Sequence, residues 1–414
     1  MTRDGRGFRW GRPLLAVPMI IMAVALVAAF RGDAPSGTGD AADEAQVLRG
    51  RQLVLEHACS LCHGSFDPGQ DGWMAGMMRP DQEFLIGPCA VEPGATPCFR
   101  TRPRNLTPDN VTGMGRFSER QIFNALRHGL RPGETADAEI TSSTPGEGNF
   151  PVNPKYMAPP MPWPAWRHMP DEDLWAIAAY LKRGLAPVSH RVEDSEGPPD
   201  FWASAYTAEA IGPRPAVPFP TTRETEPPAG VDRDQILRGR QVAIQHDCGA
   251  CHGGGSTPTA DNWLVGATKP IDVFPIGPCA TQPGAEPCFW MRPRNLTPDS
   301  ATGLGRYSAR QIFNTLRHGL RPSDATDVEI AADRSNFPAR PDYLGLGMPW
   351  PAWRHISDAD LWALIAYLRH GLRPMNNEVE ASDAPPDRWA GEYTVEKIGP
   401  YPASAYPTTN EVER

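Results

Sequence analysis

Apolar residues recur along this chain with the period of amphipathic helices. After Pro170, apolar side chains fall at i, i+3, i+4 and i+7, which places them on one face of a helix; they are Leu174, Ile177, Ala178 and Leu181. Acidic residues in the first turn suit the positive end of such a helix. The pattern predicts a helix over residues 171–184, and no segment has a convincing strand pattern.

Two further helices are predicted before this one. Ser118 stands three residues before Gln121, the spacing of a capping box, and the apolar run that follows stops at Gly129, which can serve as a C-cap. A longer helix is predicted over residues 45–59. All three have counterparts later in the chain, which begin near Asp234, at Ser308 and at Ser357.

The helices belong to a repeat that covers most of the chain. The sequence Met-Pro-Trp-Pro-Ala-Trp-Arg-His occurs twice, beginning at Met161 and at Met348. The segments after the last helix also match, so that Trp202 recurs as Trp389. The repeat predicts four segments after residue 31: a tether, 32–44, a first domain, 45–222, a linker, 223–232, and a second domain, 233–414.

The first 31 residues have a different character. Four arginines precede residues 14–30, an apolar run of 17 residues that contains Pro18. Such a segment is either a cleaved secretory signal, for which Val27-Ala28-Ala29 offers a site, or a signal anchor. We expect an anchor helix within residues 1–31, because the run is long for a signal peptide, although short for a membrane span. The arginines keep its N-terminus in the cytoplasm, so the rest of the chain is exported.

Composition narrows the class of protein. Pro (47) and Gly (39) are more frequent than in average globular proteins, which predicts many turns and long ordered loops. The formal charge of −9 and the lack of a basic patch argue against nucleic acid as a partner. The eight cysteines divide into two groups of four, and the paired cysteines outside the motifs described next indicate an oxidising compartment.

Four cysteines lie in two Cys-x-x-Cys-His motifs. Cysteines three residues apart lie on one face of a helical turn, where both sulfurs can bond to vinyl groups of one porphyrin, and the adjacent histidine can then bind the iron. A redox dithiol does not need this histidine, and a zinc site needs more ligands nearby. The motifs predict two covalently attached haem c groups, held by Cys59, Cys62 and His63 and by Cys248, Cys251 and His252.

A haem that only transfers electrons needs a second axial ligand, and a methionine thioether raises its reduction potential. Of the 13 methionines, only Met161 and Met348 match each other between the repeats beyond the initial segment. We therefore predict that Met161 binds the iron opposite His63, and Met348 the iron opposite His252. The alternative for each methionine is core packing. Rival ligands are the matched histidine pairs His168/His355 and His128/His318.

The remaining cysteines form matched pairs at the ends of two Pro- and Gly-rich loops, Cys89 with Cys98 and Cys279 with Cys288. We predict one disulfide in each pair. Closing a loop of about ten residues stabilises a fold by about 2.7 kcal/mol in the chain-entropy model. A third cofactor site is the alternative, but no cluster of His or acidic residues lies near these cysteines in the sequence.

Two sets of side chains are candidates for the surroundings of the haem groups. The arginines of the Arg-Pro-Arg-Asn segments either clamp the haem propionates through charge-assisted hydrogen bonds or form a solvated surface; they are Arg102, Arg104, Arg292 and Arg294. Four tryptophans are predicted to form the pocket walls: Trp163, Trp166, Trp350 and Trp353.

With these motifs, each repeat resembles a class I cytochrome c. The resemblance is carried by residues 59–63, 105–109, 112–115, 161–163 and 171–181 and their counterparts. The chain is similar to the cytochrome subunits of bacterial membrane-bound alcohol and sugar-acid dehydrogenases, over about 45–186 and 234–373. The resemblance implies an all-α fold of two tandem class I cytochrome c domains, with His and Met on opposite faces of each iron. Those subunits commonly carry three haem motifs, and this chain has two.

The expected function is electron transfer without catalysis of its own. We expect a dihaem cytochrome that connects a redox protein donor to an acceptor in a respiratory or dehydrogenase-linked chain, as part of a larger complex. It is expected on the periplasmic side of a bacterial inner membrane, anchored by the N-terminal helix, or soluble in the periplasm after signal cleavage. The alternatives are a dihaem peroxidase, which needs an open iron position beside an acid or base, and a haem-bearing structural subunit.

Overall fold

Two units of the same design make up the described part of the chain. The computed structural model describes residues 37–79, 82–90, 92, 94–197, 199–269, 273–280, 282, 284–383 and 386–413. The first unit contains α1 (Gly37–Glu56), α2 (Cys59–His63), α3 (Glu119–His128), α4 (Trp163–Trp166), α5 (Asp171–Ala179) and α6 (Ala208–Ile211). The second contains α7 (Arg233–Gln245), α8 (Cys248–His252), α9 (Ala309–His318), α10 (Trp350–Trp353), α11 (Asp358–Ala366) and α12 (Val395–Ile398).

Each unit also contains a small antiparallel sheet, so the expectation of an all-α fold is wrong and the molecule is mixed. Strand β1 (Phe84–Ile86) pairs with β2 (Phe99–Thr101), and β3 (Phe274–Ile276) pairs with β4 (Phe289–Met291). The strands flank the loops closed by the two predicted disulfides, Cys89–Cys98 and Cys279–Cys288, which the structure contains. Three-residue strands are too short to show an alternating pattern in sequence.

The anchor helix of the expected fold class is also absent from the fold as described. The apolar run, residues 14–30, lies outside the described residues. Within the described ranges, no helix combines the length and the apolar character that crossing a membrane requires.

The helix before each Cys-x-x-Cys-His motif ends earlier than the sequence predicts. Helix α1 stops at Glu56 instead of running into Cys59, and the motif forms a separate helical turn. Between them Ala58 has φ 57°, and its counterpart Asp247 has φ 55°. A left-handed conformation is unusual for residues other than glycine. This break redirects the chain, so that the motif is not a continuation of the preceding helix.

Each core is built around a close helix pair. Helix α1 packs on α5, and α7 packs on α11. A Cβ at Gly50 would lie 1.9 Å from the carbonyl oxygen of Ala176, and one at Gly239 would lie 1.9 Å from that of Ala363. Glycine is therefore required where the two helices touch. The predicted capping boxes at Ser118 and Ser308 are confirmed by hydrogen bonds in both directions.

The segments after α6 and α12 cross to the opposite unit. Glu224 follows α6 but accepts hydrogen bonds from Arg240 (2.7 Å) and Tyr367 (2.6 Å) of the second unit. Glu411 follows α12 but accepts hydrogen bonds from Arg51 (2.6 Å) and Tyr180 (2.6 Å) of the first unit. We call residues 221–225 the first strap and residues 408–412 the second strap.

Candidate haem sites

One cavity reaches both Cys-x-x-Cys-His motifs. Its volume is about 990 Å³, and side chains of both units line it. All eight residues predicted to hold the cofactors lie on its wall: Cys59, Cys62, His63, Met161, Cys248, Cys251, His252 and Met348. The structure therefore brings together, around one space, residues that are far apart in the sequence.

The two motif histidines are oriented by backbone carbonyls. The Nδ1–H of His63 donates to the carbonyl oxygen of Arg104 at 2.7 Å, and that of His252 donates to the carbonyl oxygen of Arg294 at 2.7 Å. This bond leaves Nε2 of each ring as the acceptor nitrogen. Burial lowers the pKa of both histidines, while the carbonyl bond acts in the opposite direction. A neutral imidazole whose other nitrogen is held by a hydrogen bond is the form that binds metals.

The four motif cysteines are not disulfide-bonded. Burial raises the pKa of Cys59, Cys62 and Cys248 to about 12, and that of Cys251 to about 11. A redox-active or metal-binding thiolate shows the opposite shift, because its site must stabilise negative charge. Neutral sulfurs at the cavity wall, beside an oriented histidine, fit thioether bonds to a haem, and the large cavity they share fits the apolar macrocycle.

The predicted methionines face the cavity, and the rival histidines do not. Met161 and Met348 line it, whereas His168, His355, His128 and His318 are absent from its wall. His128 packs edge-on against Phe150, with ring centroids 6.0 Å apart. Four other methionines also line the cavity, and none has a methionine at the matching position of the other unit: Met74, Met114, Met157 and Met291. Met161 and Met348 thus remain the methionines that occupy equivalent positions in both units.

All four arginines of the Arg-Pro-Arg-Asn segments line the cavity, and three of them, Arg102, Arg104 and Arg292, also pair with acidic residues. Arg102 pairs with Glu83 at 2.7 Å, and Arg292 pairs with Asp383 at 2.7 Å. The position of these arginines at the cavity is compatible with contacts to haem propionates, and that role stays a prediction. Arg131 and its counterpart Arg321 also line the cavity, and the sequence analysis missed them. The sequence feature that could have identified them is their matching position, since each stands two residues after the glycine that ends a helix.

The tryptophans divide into two kinds. Trp166 and Trp353 line the cavity, as predicted. Trp163 and Trp350 do not, and the prediction for them is wrong. Trp163 stacks on Tyr156 and Trp350 on Tyr343, in two satellite clusters that include Trp202 and Trp389. These clusters attach the segments after α5 and α11 to the rest of each unit.

Two cavity residues that the sequence analysis did not single out are His57 and His246. They stand two residues before Cys59 and Cys248, respectively, so their match between the repeats is the signal that would have found them. Their rings stack on each other across the boundary between the units, with centroids 4.1 Å apart. Neither belongs to the predicted ligand sets.

One domain in the second unit matches a known protein family. A family profile described as Cytochrome c matches residues 236–371, which include His252 and Met348. The chain therefore contains a cytochrome c domain, and the matched range lies in the second unit. The first unit carries the same motif and the same histidine–carbonyl geometry.

Three curated bacterial proteins are similar to the chain. The gluconate 2-dehydrogenase cytochrome c subunit of Pantoea cypripedii is 27% identical over 346 residues, 80% of this chain and 60% of that protein. The alcohol dehydrogenase (quinone) cytochrome c subunit of Gluconacetobacter polyoxogenes is 25% identical over 353 residues, 84% and 61%. The fructose dehydrogenase cytochrome subunit of Gluconobacter japonicus is 29% identical over 153 residues, 37% and 24%.

These relatives place the chain among homologues of dehydrogenase cytochrome c subunits. The chain spans about 60% of the length of the first two.

Proposed function

We propose that this protein is a dihaem c-type cytochrome that transfers electrons, with one haem in each unit. Cys59 and Cys62 would hold the first haem, with His63 and Met161 as axial ligands. Cys248 and Cys251 would hold the second, with His252 and Met348. The protein would not transform a substrate itself, because a His/Met-ligated iron has no open position for one.

One observation carries the proposal: the same set of candidate ligands occurs twice around one cavity. Each unit contributes two thiols without a disulfide, a histidine fixed by a 2.7 Å bond to a carbonyl, and a methionine at the cavity wall. A repeat that had lost its cofactor would have no need to keep both the thiol pair and the oriented histidine. The cytochrome c match to residues 236–371 supports the second site directly, and the repeat extends the argument to the first.

The chain's own residues define what each site does to the haem. The carbonyls of Arg104 and Arg294 would keep the proximal ring oriented. Met161 and Met348 each precede a proline and a short helix, which limits the freedom of the thioether. A restrained methionine suits a weak ligand, because little entropy is lost when it binds. The predominantly apolar wall would favour the ferrous form and so raise the reduction potential.

The names of the relatives suggest the partners. All three are cytochrome subunits of dehydrogenases. We propose that the present chain accepts electrons from a dehydrogenase subunit and passes them to a respiratory acceptor, within a larger complex. Attachment of haem c takes place outside the cytoplasm, and the two disulfides also fit an oxidising compartment. The proposed location is therefore the periplasmic side of a bacterial inner membrane.

Spectra of single variants test the ligand assignment. The wild-type protein is expected to contain two haem groups per chain, both low-spin with methionine ligation in the ferric state. Met161→Ala and Met348→Ala should each remove half of the methionine-ligation signal and leave the other half. Met114→Ala, at a cavity position that has no methionine counterpart, is the control and should leave both signals. A high-spin haem or peroxide turnover in the wild type would refute electron transfer as the sole function.

A further inference from the structure

We propose that His57 and His246 form a relay pair that carries electrons between the two haem sites. The proposal rests on the function proposed above, because it needs both sites to be filled, and it adds the route between them. The observation that carries it plays no part in the ligand assignment. Two buried histidines stack on each other where the haem-binding segments of the two units meet.

The stack is close and parallel. The ring centroids of His57 and His246 lie 4.1 Å apart, and the ring planes differ by 6°. Each ring also packs edge-on against a tryptophan of its own unit, His57 against Trp166 at 6.3 Å and His246 against Trp353 at 6.4 Å. Both tryptophans line the shared cavity. The relay pair is therefore held in the same way from both sides.

Reciprocal hydrogen bonds fix the boundary around the relay pair. The side-chain amide of Gln52 donates to the backbone carbonyl of His355 in the opposite unit. Its counterpart Gln241 donates to the backbone carbonyl of His168 at 2.7 Å. Because each unit supplies the same donor and the same acceptor, the two helices that lead to the histidines meet in a symmetric way. The imidazole planes are parallel within this symmetric boundary.

The sequence connects each ring to a cofactor over a short covalent path. His57 stands two residues before Cys59, and His246 two residues before Cys248. A path through the protein from one thioether to the other therefore follows a few backbone bonds, crosses one ring-to-ring contact, and follows the matching bonds on the other side. Electronic coupling falls more slowly along bonded atoms and touching π systems than across a gap. The relay pair supplies such a contact at the point where the two paths meet.

The pair keeps polar rings at a place where their hydrogen bonding is incomplete. The backbone of Gln245 acts on His57 and that of Glu56 acts on His246, each from the opposite unit. Nδ1 and Nε2 of His57 and Nδ1 of His246 still lack a well-formed hydrogen bond among the described residues. The side chains are buried, with 7% and 8% of their residue surfaces exposed. Burying polar atoms without partners is unfavourable, and a leucine or phenylalanine would fill this space without that cost.

A metal site is the other possibility at this place, since Glu56, His57 and His246 form a group of three potential ligands. The stacked arrangement argues against it. The lone pairs of an imidazole lie in the ring plane, so those of two parallel stacked rings run side by side and do not converge on one ion. A tetrahedral ion needs ligand atoms that point at a common centre.

The relay pair is uncharged at neutral pH. Burial lowers the pKa of both rings, to about 3 for His246. The charged groups that act on them are Arg49 for His57, and Arg238 and Asp360 for His246. One electron leaves a ferrous haem, which becomes ferric, and reduces the ferric haem of the other unit. The imidazoles are neither oxidised nor protonated in this exchange, so no further reactant is required.

The test compares His57→Leu, His57→Phe and a control, His128→Leu, which removes a histidine that does not line the cavity. Electron exchange between the haems is measured in half-reduced protein from the exchange broadening of haem methyl resonances. The Soret circular dichroism couplet reports haem–haem geometry, and the shifted imidazole proton resonances of His57 and His246 report the stack. We expect slower exchange in His57→Leu with an unchanged couplet, exchange near wild type in His57→Phe, and no change in His128→Leu.

Each other outcome overturns the relay. Exchange in His57→Leu that equals wild type, with the stacked resonances lost, means that the pair is not the route. Equal slowing in the Leu and Phe variants, together with an altered couplet, means that the pair only positions the haems. Zinc or copper that binds stoichiometrically to wild type and not to His57→Phe means a metal site. A haem content of one per chain would refute the proposed function itself, whereas two per chain with unchanged exchange refutes the relay alone.

Discussion

The two units bury the same cluster of four side chains but obtain its carboxylate in different ways. In the second unit Glu224 binds Arg240 and Tyr367, and Trp263 donates to the Tyr367 hydroxyl at 2.9 Å. Glu224 lies in the first strap, which runs directly into α7. In the first unit the equivalent carboxylate is Glu411, which comes from the end of the chain. The contact of Glu224 with Arg240 therefore joins residues that are close in the sequence, whereas the equivalent contact of Glu411 with Arg51 joins residues that are far apart.

The difference shows that the first unit depends on a carboxylate that follows the second unit in the sequence, 360 positions after Arg51. The side chains of Glu224 and Glu411 are both 0% exposed, and each is paired with an arginine that is nearly buried. The first strap lies between α6 and α7, whereas the second strap follows α12. We infer that release of the second strap removes the buried carboxylate of the first unit and leaves Glu224, the carboxylate of the second unit, in place.

Removing the buried carboxylates should have the largest effect. Glu411→Ala and Glu224→Ala each leave an arginine without its partner, for which about 3–5 kcal/mol of unfolding free energy is expected to be lost. Hydrogen exchange should rise in α1 and α5 and throughout the second strap for Glu411→Ala, and in α7 and α11 for Glu224→Ala. Denaturant unfolding with region-resolved exchange measures both. If Glu411→Ala and Glu224→Ala raised hydrogen exchange equally in both units, the assignment of one carboxylate to each unit would be wrong.

A second difference between the units concerns the residue before the stacked histidines. The first unit has Glu56 where the second has Gln245, and both are buried. Burial raises the pKa of Glu56 from 4.5 to about 7, although the Gln52 hydrogen bond and Arg49 act to lower it. The folded state therefore favours the protonated carboxyl. The contribution of the Glu56 carboxyl to the unfolding free energy is fully present below about pH 4.5. It decreases by about 3 kcal/mol in total as the pH rises through 7.

Exchanging these residues should move that pH dependence from one unit to the other. Glu56→Gln is expected to raise the unfolding free energy at pH 8 by up to about 3 kcal/mol, with little change at pH 4.5. Gln245→Glu should introduce the same dependence in the second unit. Denaturant unfolding at a series of pH values checks both. A Glu56→Gln variant with the wild-type pH profile would show that this carboxyl does not carry the effect.

Removing a disulfide is expected to have the smallest effect on the unfolding free energy, and the effect should be the same in both units. Each bond joins cysteines nine residues apart. Replacing Cys89 and Cys98 by serine, or Cys279 and Cys288 by serine, should each cost about 2.7 kcal/mol of unfolding free energy from the loss of loop closure. Thermal unfolding of the two double variants is the measurement. Clearly unequal losses would mean that the loops differ in more than closure.

Local chemistry explains which features the sequence predicted. The capping boxes at Ser118 and Ser308 need only residues three apart, and the Cys-x-x-Cys-His motifs need only five residues. Both can therefore be found without knowing the fold. The match between the repeats added long-range information, since it selected Met161 and Met348, which line the cavity, from 13 methionines.

The features that the sequence did not predict depend on contacts between distant segments. Three-residue strands such as β1 have no periodicity of their own and form because the neighbouring disulfide loop turns the chain back. The two tryptophans of one Trp-Pro-Ala-Trp segment look equivalent in sequence, yet Trp166 lines the cavity and Trp163 packs in a satellite cluster. The contact of Glu411 with Arg51 joins residues 360 positions apart, and nothing near either residue indicates the other.

The straps also decide what happens if the chain is cut. A single break between α6 and the first strap would leave the N-terminal fragment without Glu411, while the C-terminal fragment would keep a complete second unit and a free second strap. The two fragments are then expected to bind each other, because the C-terminal fragment carries Glu411, the carboxylate that Arg51 and Tyr180 of the N-terminal fragment have lost. Each unit therefore takes a buried carboxylate from a segment that follows the helices of the other unit. A cut at the middle of the sequence would not separate the first unit with its carboxylate.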